Sequence, residues 1–357
     1  MKLSRIDIKG FKSIRDASLS LRNINILIGS NGAGKSNFIT VFTLMQKMIE
    51  KELQIYVSEC GVSALLYKGR KVTSRMTMEF YFGANSYGFV LVPTDDGRLT
   101  FASEFASYNG THCQISGPKG YYESEYEKGC GNGIDAYVRP VLSMKDWKVY
   151  HFHDTSRFSG MKQEHNLADN LQLQQDASNL APFLYMLEQM QPKSYEKIIN
   201  VIQLAAPYFK DFVLVPQINN EKIAFRWRQT DCDDVFGASQ LSDGTLRFIC
   251  LATLFCQPSE YQPSVIILDE PELGLHPYAI ELLAEMIRSV STRKQVIIST
   301  QSADLISEFE PEDIVVTEMG SEGTTFRRLD SNALNEWLKE DYSLGELWKK
   351  NVLGGRP

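Results

Sequence analysis

Gly29-Ser30-Asn31-Gly32-Ala33-Gly34-Lys35-Ser36 decides how this chain is read. The stretch fits G-x-x-x-x-G-K-[ST], a phosphate-binding loop. It follows the apolar run Ile24 to Ile28 and precedes a helical pattern with Phe38, Phe42, Met45 and Ile49 on one face. Strand, loop and helix in that order are the context the motif requires. Glycines let backbone N–H groups curl round a phosphate with no side chain in the way, and the helix N-terminus adds partial positive charge. Asn31, Gly32, Ala33, Gly34, Lys35, Ser36 and Asn37 are therefore the candidate nucleotide-binding positions. Lys35 would reach the β- and γ-phosphates and Ser36 would ligate Mg²⁺. The plainer reading, a Gly-rich turn that binds nothing, does not account for motif and context together.

A second motif supplies carboxylates. Val265-Ile266-Ile267-Leu268 is a continuous apolar run, as a strand buried on both faces of a parallel sheet would be, and it ends in Asp269-Glu270-Pro271. Carboxylates at the C-terminal edge of such a strand lie where α/β sheets bind ligands. Asp269 is expected to hold Mg²⁺, and Glu270 to orient and deprotonate the attacking water. Alone, the pair reads equally well as an ordinary strand end.

A third motif, Leu241-Ser242-Asp243-Gly244-Thr245, opens a helix that is apolar nearly all round. The bland reading makes Ser242 a helix N-cap. Upstream of Asp269, in a chain with a phosphate loop, the motif resembles the signature (LSGGQ) of ABC-type ATPases. That resemblance implies a head-to-tail homodimer with two ATP molecules in its interface. The Ser242 and Gly244 of one subunit would meet the γ-phosphate held by the other. Phe11-Lys12-Ser13-Ile14 resembles the opening of SMC-type and RecF-like ATPases, which adds Lys12 to the candidate nucleotide contacts. Glu270 to Pro277 (EPELGLHP) resembles the corresponding segment of RecF-like and OLD-like ATPases. Gly345-Glu346-Leu347-Trp348 and Gly354-Gly355-Arg356-Pro357 resemble a bacterial group of predicted ATPases. The likeness covers both ends of the chain and fades between about 100 and 210.

Two departures stand out. Asp243 and Thr245 replace the usual Gly and Gln of transporters, which suits the RecF-like branch. After Val296-Ile297-Ile298-Ser299-Thr300 comes Gln301, where ABC ATPases usually carry a switch His. A neutral amide can hydrogen-bond a γ-phosphate oxygen but cannot become cationic. Gln301 is expected to act beside Glu270, with slow hydrolysis or altered γ-phosphate sensing.

The expected fold is α/β: a P-loop NTPase head of the ABC type with a mostly parallel central sheet, an antiparallel β-layer and a mainly helical insertion. Lys35 and Asp269 are much further apart than one strand–helix–strand crossover needs, so the head is split. The partition read from the chain is 1–102 (phosphate loop and β-layer), 103–210 (insertion, irregular and then helical) and 211–357 (signature, Asp-Glu strand, switch and tail). Val72 to Phe82 alternates as a strand of the β-layer. His151-Phe152-His153-Asp154 reads as a strand end with both histidines on one side. A metal pair there lacks a third spaced ligand. The other readings are structural, or a nucleotide-proximal loop like the Q-loop of ABC ATPases, with Asp154 as its key residue. His276 falls where that family places a loop touching the opposite subunit, or is simply a helix-start residue before Pro277. Leu334 to Trp348 reads as one helix.

The chain has 357 residues and a net charge of −7, which removes the bulk electrostatic footprint of a dedicated DNA binder but leaves room for a local basic patch. No run of eighteen apolar residues is present, so no membrane partner is expected. Six cysteines without a C-x-x-C pair read as a reducing cytoplasm. The leading expectation is an ATP-binding and hydrolysing dimerisation switch that controls a separate nuclease or effector in anti-phage defence or nucleic-acid metabolism. The assembly has room for a higher oligomer. No nuclease cluster is visible after the last strand. The alternative is a RecF-like DNA-binding repair ATPase. A transporter subunit fits the signature, the opening and the insertion less well.

Overall fold

The structure, a computed structural model, describes residues 2–115, 120–128, 141–217, 221–340 and 342–355. It divides into two compact units, Met1–Trp147 with Glu310–Pro357, and Lys148–Phe309.

The first unit holds an antiparallel sheet of six strands. Their spatial order is Ile14–Ser20, Arg5–Phe11, Met76–Phe82, Asn85–Pro93, Leu99–Tyr108 and Thr111–Gln114. Period-two patterning drives it: Met76, Met78, Phe80 and Phe82 are buried while Thr77, Glu79 and Tyr81 between them are half-exposed. Separately, the strand Ile24–Ile28 pairs in parallel with Ile314–Gly320, which turns back antiparallel into Gly323–Arg328. The helix Lys35–Ile49 buries its apolar stripe, with Phe38 against Phe326 and Phe42 against Trp147 at ring-centroid distances of 5.2 and 5.6 Å. The tail docks on this unit. Trp348 is fully buried and donates to the Gly355 carbonyl (3.1 Å), and Gly355 N–H donates to Glu318 (2.7 Å).

The second unit contains three parallel strands in the order Lys148–Tyr150, Val265–Asp269, Gln295–Thr300. Val265 to Leu268 and Val296 to Ile298 are buried throughout, as a sheet covered on both faces requires. Around them lie the helices Leu180–Met190, Pro192–Ala205, Asp243–Cys256 and Pro277–Ser291.

Several local expectations are corrected. The strand expected from Val72 begins at Met76. Val72 is 63% exposed, because a turn at Lys68 and Gly69, both at positive φ, holds 68–75 as a loop. The stretch from 103, expected to be irregular, continues the strand Leu99–Tyr108 and then a hairpin to Thr111–Gln114. Its two turn residues, Asn109 (φ +48°) and Gly110 (φ +78°), are the pair that suits a type I′ turn. Short antiparallel ribbons also interrupt the helical middle: Glu164–Asn166 with Lys222–Ala224, and Phe209–Phe212 with Arg226–Gln229 and Val235–Gly237. His151 to Asp154 lies beyond its strand, which stops at Tyr150. The expected C-terminal helix is two, Ser331–Lys339 and Leu344–Lys349, the second started by a Ser343/Glu346 capping box. Cys113 is disulfide-bonded, whereas Cys60, Cys232, Cys250 and Cys256 are free. Among the described residues no helix is long and apolar enough to cross a membrane.

Candidate functional site

In the first unit the loop leaves the strand Ile24–Ile28 and enters the helix at Lys35. Gly34 has φ +108°, and a Cβ there would lie 2.2 Å from Thr324 Oγ1, so the loop closes only without a side chain at that position. Lys35 is 5% exposed and folds back to donate to the Gly29 and Ser30 carbonyls (2.6 and 3.1 Å). Asn31 and Ser36 stay exposed at the mouth of the loop.

The Lys12–Ser13 turn comes to the same helix end. Lys12 Nζ donates to Thr40 Oγ1 (3.3 Å), and burial pushes its ammonium below its ordinary pKa. Asn37 Nδ2 donates to Ser13 Oγ (2.7 Å), which shares a hydrogen bond of 2.7 Å with Thr324 Oγ1. Thr324, not singled out in the sequence, also donates to the Ala33 carbonyl (2.9 Å).

In the second unit the parallel strands present their C-terminal ends together. Ser299 Oγ donates to Asp269 Oδ1, and Glu270 N–H donates to the Ser299 carbonyl (2.8 Å). Glu270 adopts φ +43°, a conformation that L residues hold only where surroundings enforce it. Gln301 Nε2 donates to Glu270 Oε1, so the two residues expected to act together do meet.

Glu272 carries no motif role in the sequence. It is only 8% exposed. Its Oε1 accepts from Thr300 Oγ1 and from Gln301 N–H (3.3 Å), while Oε2 is buried with no hydrogen-bond partner among the described residues. Burial pushes this carboxyl up, against the hydrogen bonds from Thr300 and Gln301. A second acid two positions after the expected base, and a Thr-Gln strand end to receive it, were the available sequence signals.

Ser242 caps the helix Asp243–Cys256, accepting from Thr245 N–H (3.1 Å), so the bland cap reading describes its contact within the protomer. Gly244 packs directly on the turn that follows Glu270: a Cβ there would lie 2.2 Å from the Gly274 carbonyl oxygen. Ser242, Gly244, Gly274 and His276 line one pocket of about 120 Å³. His276 is itself an N-cap, its Nδ1 accepting from Tyr278 N–H (3.3 Å). Arg247, also unflagged in the sequence, ties this region together. It donates to the Phe152, His153 and Leu273 carbonyls at 3.2, 2.9 and 2.9 Å.

The stretch expected to resemble a Q-loop is thus held by the signature helix. Asp154 accepts from Ser156 N–H (2.9 Å) in a local turn, and hydrogen bonding to the Ser156 side chain first and its backbone second keeps the Asp154 carboxyl below the ordinary range. His151 and His153 have ring centroids 6.3 Å apart, and burial lowers the pKa of His151. Among the described residues no group of three or more His, Cys, Asp or Glu side chains could hold a metal ion. The Ser36 hydroxyl and Asp269 carboxylate are hard oxygen donors of the kind Mg²⁺ takes alongside water and phosphate oxygens.

Known proteins share this architecture. A family model described as "AAA ATPase domain" matches residues 1–111, and one described as "AAA domain, putative AbiEii toxin, Type IV TA system" matches residues 136–307. The Old nuclease of Escherichia phage P2 is 25% identical over 378 residues, covering 95% of this chain and 63% of the relative. The chain therefore spans under two thirds of that protein's length. An SMC head solved with the C-winged helix domain of ScpA superposes with a TM-score of 0.64 at 15% identity, covering 93% of this chain and 99% of that one. An SMC head with an extended coiled coil, bound to the C-terminal domain of ScpA derived from Pyrococcus furiosus, gives 0.59 at 13% identity, covering 95% and 99%. At these identities the structural likeness is one of fold.

Proposed function

We propose that this chain, an ABC-type ATPase of the AAA family in the group that holds OLD-like proteins and SMC heads, works as an ATP-driven dimerisation switch. Asn31 to Asn37 cradle the nucleotide phosphates, with Lys12 beside them. Ser36 and Asp269 would hold Mg²⁺, which when bound would supply charge that offsets that of the transferring phosphoryl group. Glu270 takes the proton of the attacking water, and Gln301 fixes the carboxylate that does so. Ser242 and Gly244 meet the γ-phosphate held by a second copy, closing two nucleotides into a head-to-tail homodimer.

The observation that carries this reading is the Glu270 carboxylate, held at the sheet edge by a left-handed turn and by the Gln301 amide. Phosphoryl transfer needs positioning and charge neutralisation more than covalent chemistry, and the hydrogen bond from Gln301 to Glu270 supports that reading. The output we propose is control of a nuclease carried by a separate chain in the cytoplasm. The similarity to the longer Old nuclease supports it. Glu270→Gln should still bind ATP while hydrolysis falls at least a hundredfold. Hydrolysis near the wild-type rate in that variant removes Glu270 from the role.

A further inference from the structure

We infer that Gly355 is a positioning residue of the phosphate loop, so that nucleotide affinity depends on how the segment Leu344–Gly355 is seated. The inference rests on the reading of Gly29 to Ser36 as the nucleotide site. Gly354-Gly355 follows the helix Leu344–Lys349, and the switch proposed above gives it no task. Hydrogen bonds within the first unit hold the segment. Arg327 donates to the Leu353 carbonyl (2.7 Å), Gly355 N–H to Glu318 Oε1 (2.7 Å), and Trp348 Nε1 to the Gly355 carbonyl (3.1 Å). Leu347, Trp348 and Leu353 are fully buried, so the bond from Trp348 is shielded from water.

What Gly355 touches gives the segment its role. The strand Ile314–Gly320 runs parallel to Ile24–Ile28 with Val316 opposite Ile28. One step further, a Cβ on Gly29, the first residue of the loop, would lie 2.3 Å from the Thr317 carbonyl oxygen. Gly355 closes on the same junction: a Cβ there would lie 2.8 Å from Val316 Cγ1 and 3.4 Å from Gly29 Cα. Gly29 is thus confined by the strand and by the segment together. Its carbonyl accepts from Lys35 Nζ (2.6 Å), so contact runs from Gly355 through Gly29 to the ammonium expected to meet the β- and γ-phosphates. Backbone conformation makes the same demand, since Gly355 has φ +63°. Val316 has little room to yield, being β-branched, 1% exposed and paired on both sides. The side chains of Leu347, Trp348 and Leu353 dock the segment; the glycine is needed because the root of the loop lies against it.

The test is equilibrium binding of a fluorescent ATP analogue and steady-state hydrolysis by the full chain, with a thermal melt on each variant. In Gly355→Ala the added methyl meets Val316 and must displace the segment or Gly29. Hydrogen bonds to phosphate weaken steeply when misaligned, so Kd and KM for ATP should rise together by about fivefold, while kcat at saturation stays within about twofold. Trp348→Phe keeps an aromatic ring but loses the N–H, and should raise Kd by about twofold. Adding Val316→Ala to Gly355→Ala makes room for the methyl and should return Kd to that of Val316→Ala alone. Gly110→Ala controls for backbone strain by itself, because Gly110 has φ +78° and open space around it; it should melt lower yet bind ATP as wild type does. Lys35→Ala checks the loop reading and should lose the nucleotide. Wild-type Kd in Gly355→Ala beside lost binding in Lys35→Ala overturns the inference alone. A weakened Kd that Val316→Ala does not recover, or that Gly110→Ala reproduces, overturns it too. Unaltered binding in Lys35→Ala overturns the loop reading and this inference with it.

Discussion

Replacing Glu272 with Ala should slow hydrolysis and leave nucleotide affinity nearly intact. The carboxylate accepts two hydrogen bonds at the strand end, from Thr300 Oγ1 and Gln301 N–H. Bonds to an ionised acceptor contribute about 1.5–3 kcal/mol each. Against them stands the cost of burying a charge whose Oε2 has no partner among the described residues. The two terms oppose, so the net change in stability should be small, within about 2 kcal/mol. Geometry has no such compensation. Thr300 Oγ1 also receives Ser302 N–H (2.9 Å), so the carboxylate anchors the stretch from which Gln301 reaches Glu270. A misplacement of about 1 Å at a reacting group can cost about a hundredfold in rate. Accordingly kcat should fall about 10- to 100-fold, with KM for ATP within about twofold, because Glu272 makes none of the proposed phosphate contacts. Glu272→Gln keeps the acceptor on one side and should retain most of kcat. Steady-state hydrolysis with a thermal melt on each variant reads this out. Wild-type kcat in Glu272→Ala, or equal damage in Glu272→Gln, would refute the positioning argument. If Glu270→Gln also hydrolyses normally, the fault lies with the base assignment instead.

Burial raises the Glu272 pKa, so its ionised form costs more in the folded state than in the unfolded one. Its contribution to stability is complete below the unfolded-state pKa, about 4.3, and is lost as pH rises through the higher folded value. Glu272→Gln cannot titrate, so its melting temperature relative to wild type should rise between pH 4.5 and 8; a constant difference would contradict the shift. Arg247→Ala removes donors from three carbonyls and should destabilise the protein by about 2–3 kcal/mol, seen as a melting temperature lower by several degrees. A change under one degree would show that water replaces the guanidinium at no cost.

What could be read from the chain depended on how local the cause was. The phosphate loop and the helix Lys35–Ile49 follow from glycine positions and a 3.6-residue apolar period within one short stretch, and both were legible. The strand Val265–Asp269 was legible because its continuous apolar run is equally local. Asn109-Gly110 carried a hairpin signal that the polar composition around it obscured. The strand placement of His151–Asp154 was not legible, because only Lys148–Tyr150 finds a strand partner, in Ile266 to Leu268, a pairing that the local residues do not encode. Glu272 was marked only by its place two positions after the expected base, and Arg247 by nothing. One is defined by burial against Thr300, the other by carbonyls of Phe152, His153 and Leu273, all distant in sequence. Isolated polar side chains give no hint of such partners, whereas repeated apolar spacing does.

On the proposed mechanism, ATP closes two copies of this chain. The most direct measurement is the solution mass of Glu270→Gln with and without Mg-ATP, repeated with Ser242→Arg added. Adding nucleotide should shift the protomer to a dimer, and Ser242→Arg should abolish the shift although ATP remains bound. A mass that nucleotide does not change, or a dimer indifferent to Ser242→Arg, would contradict it.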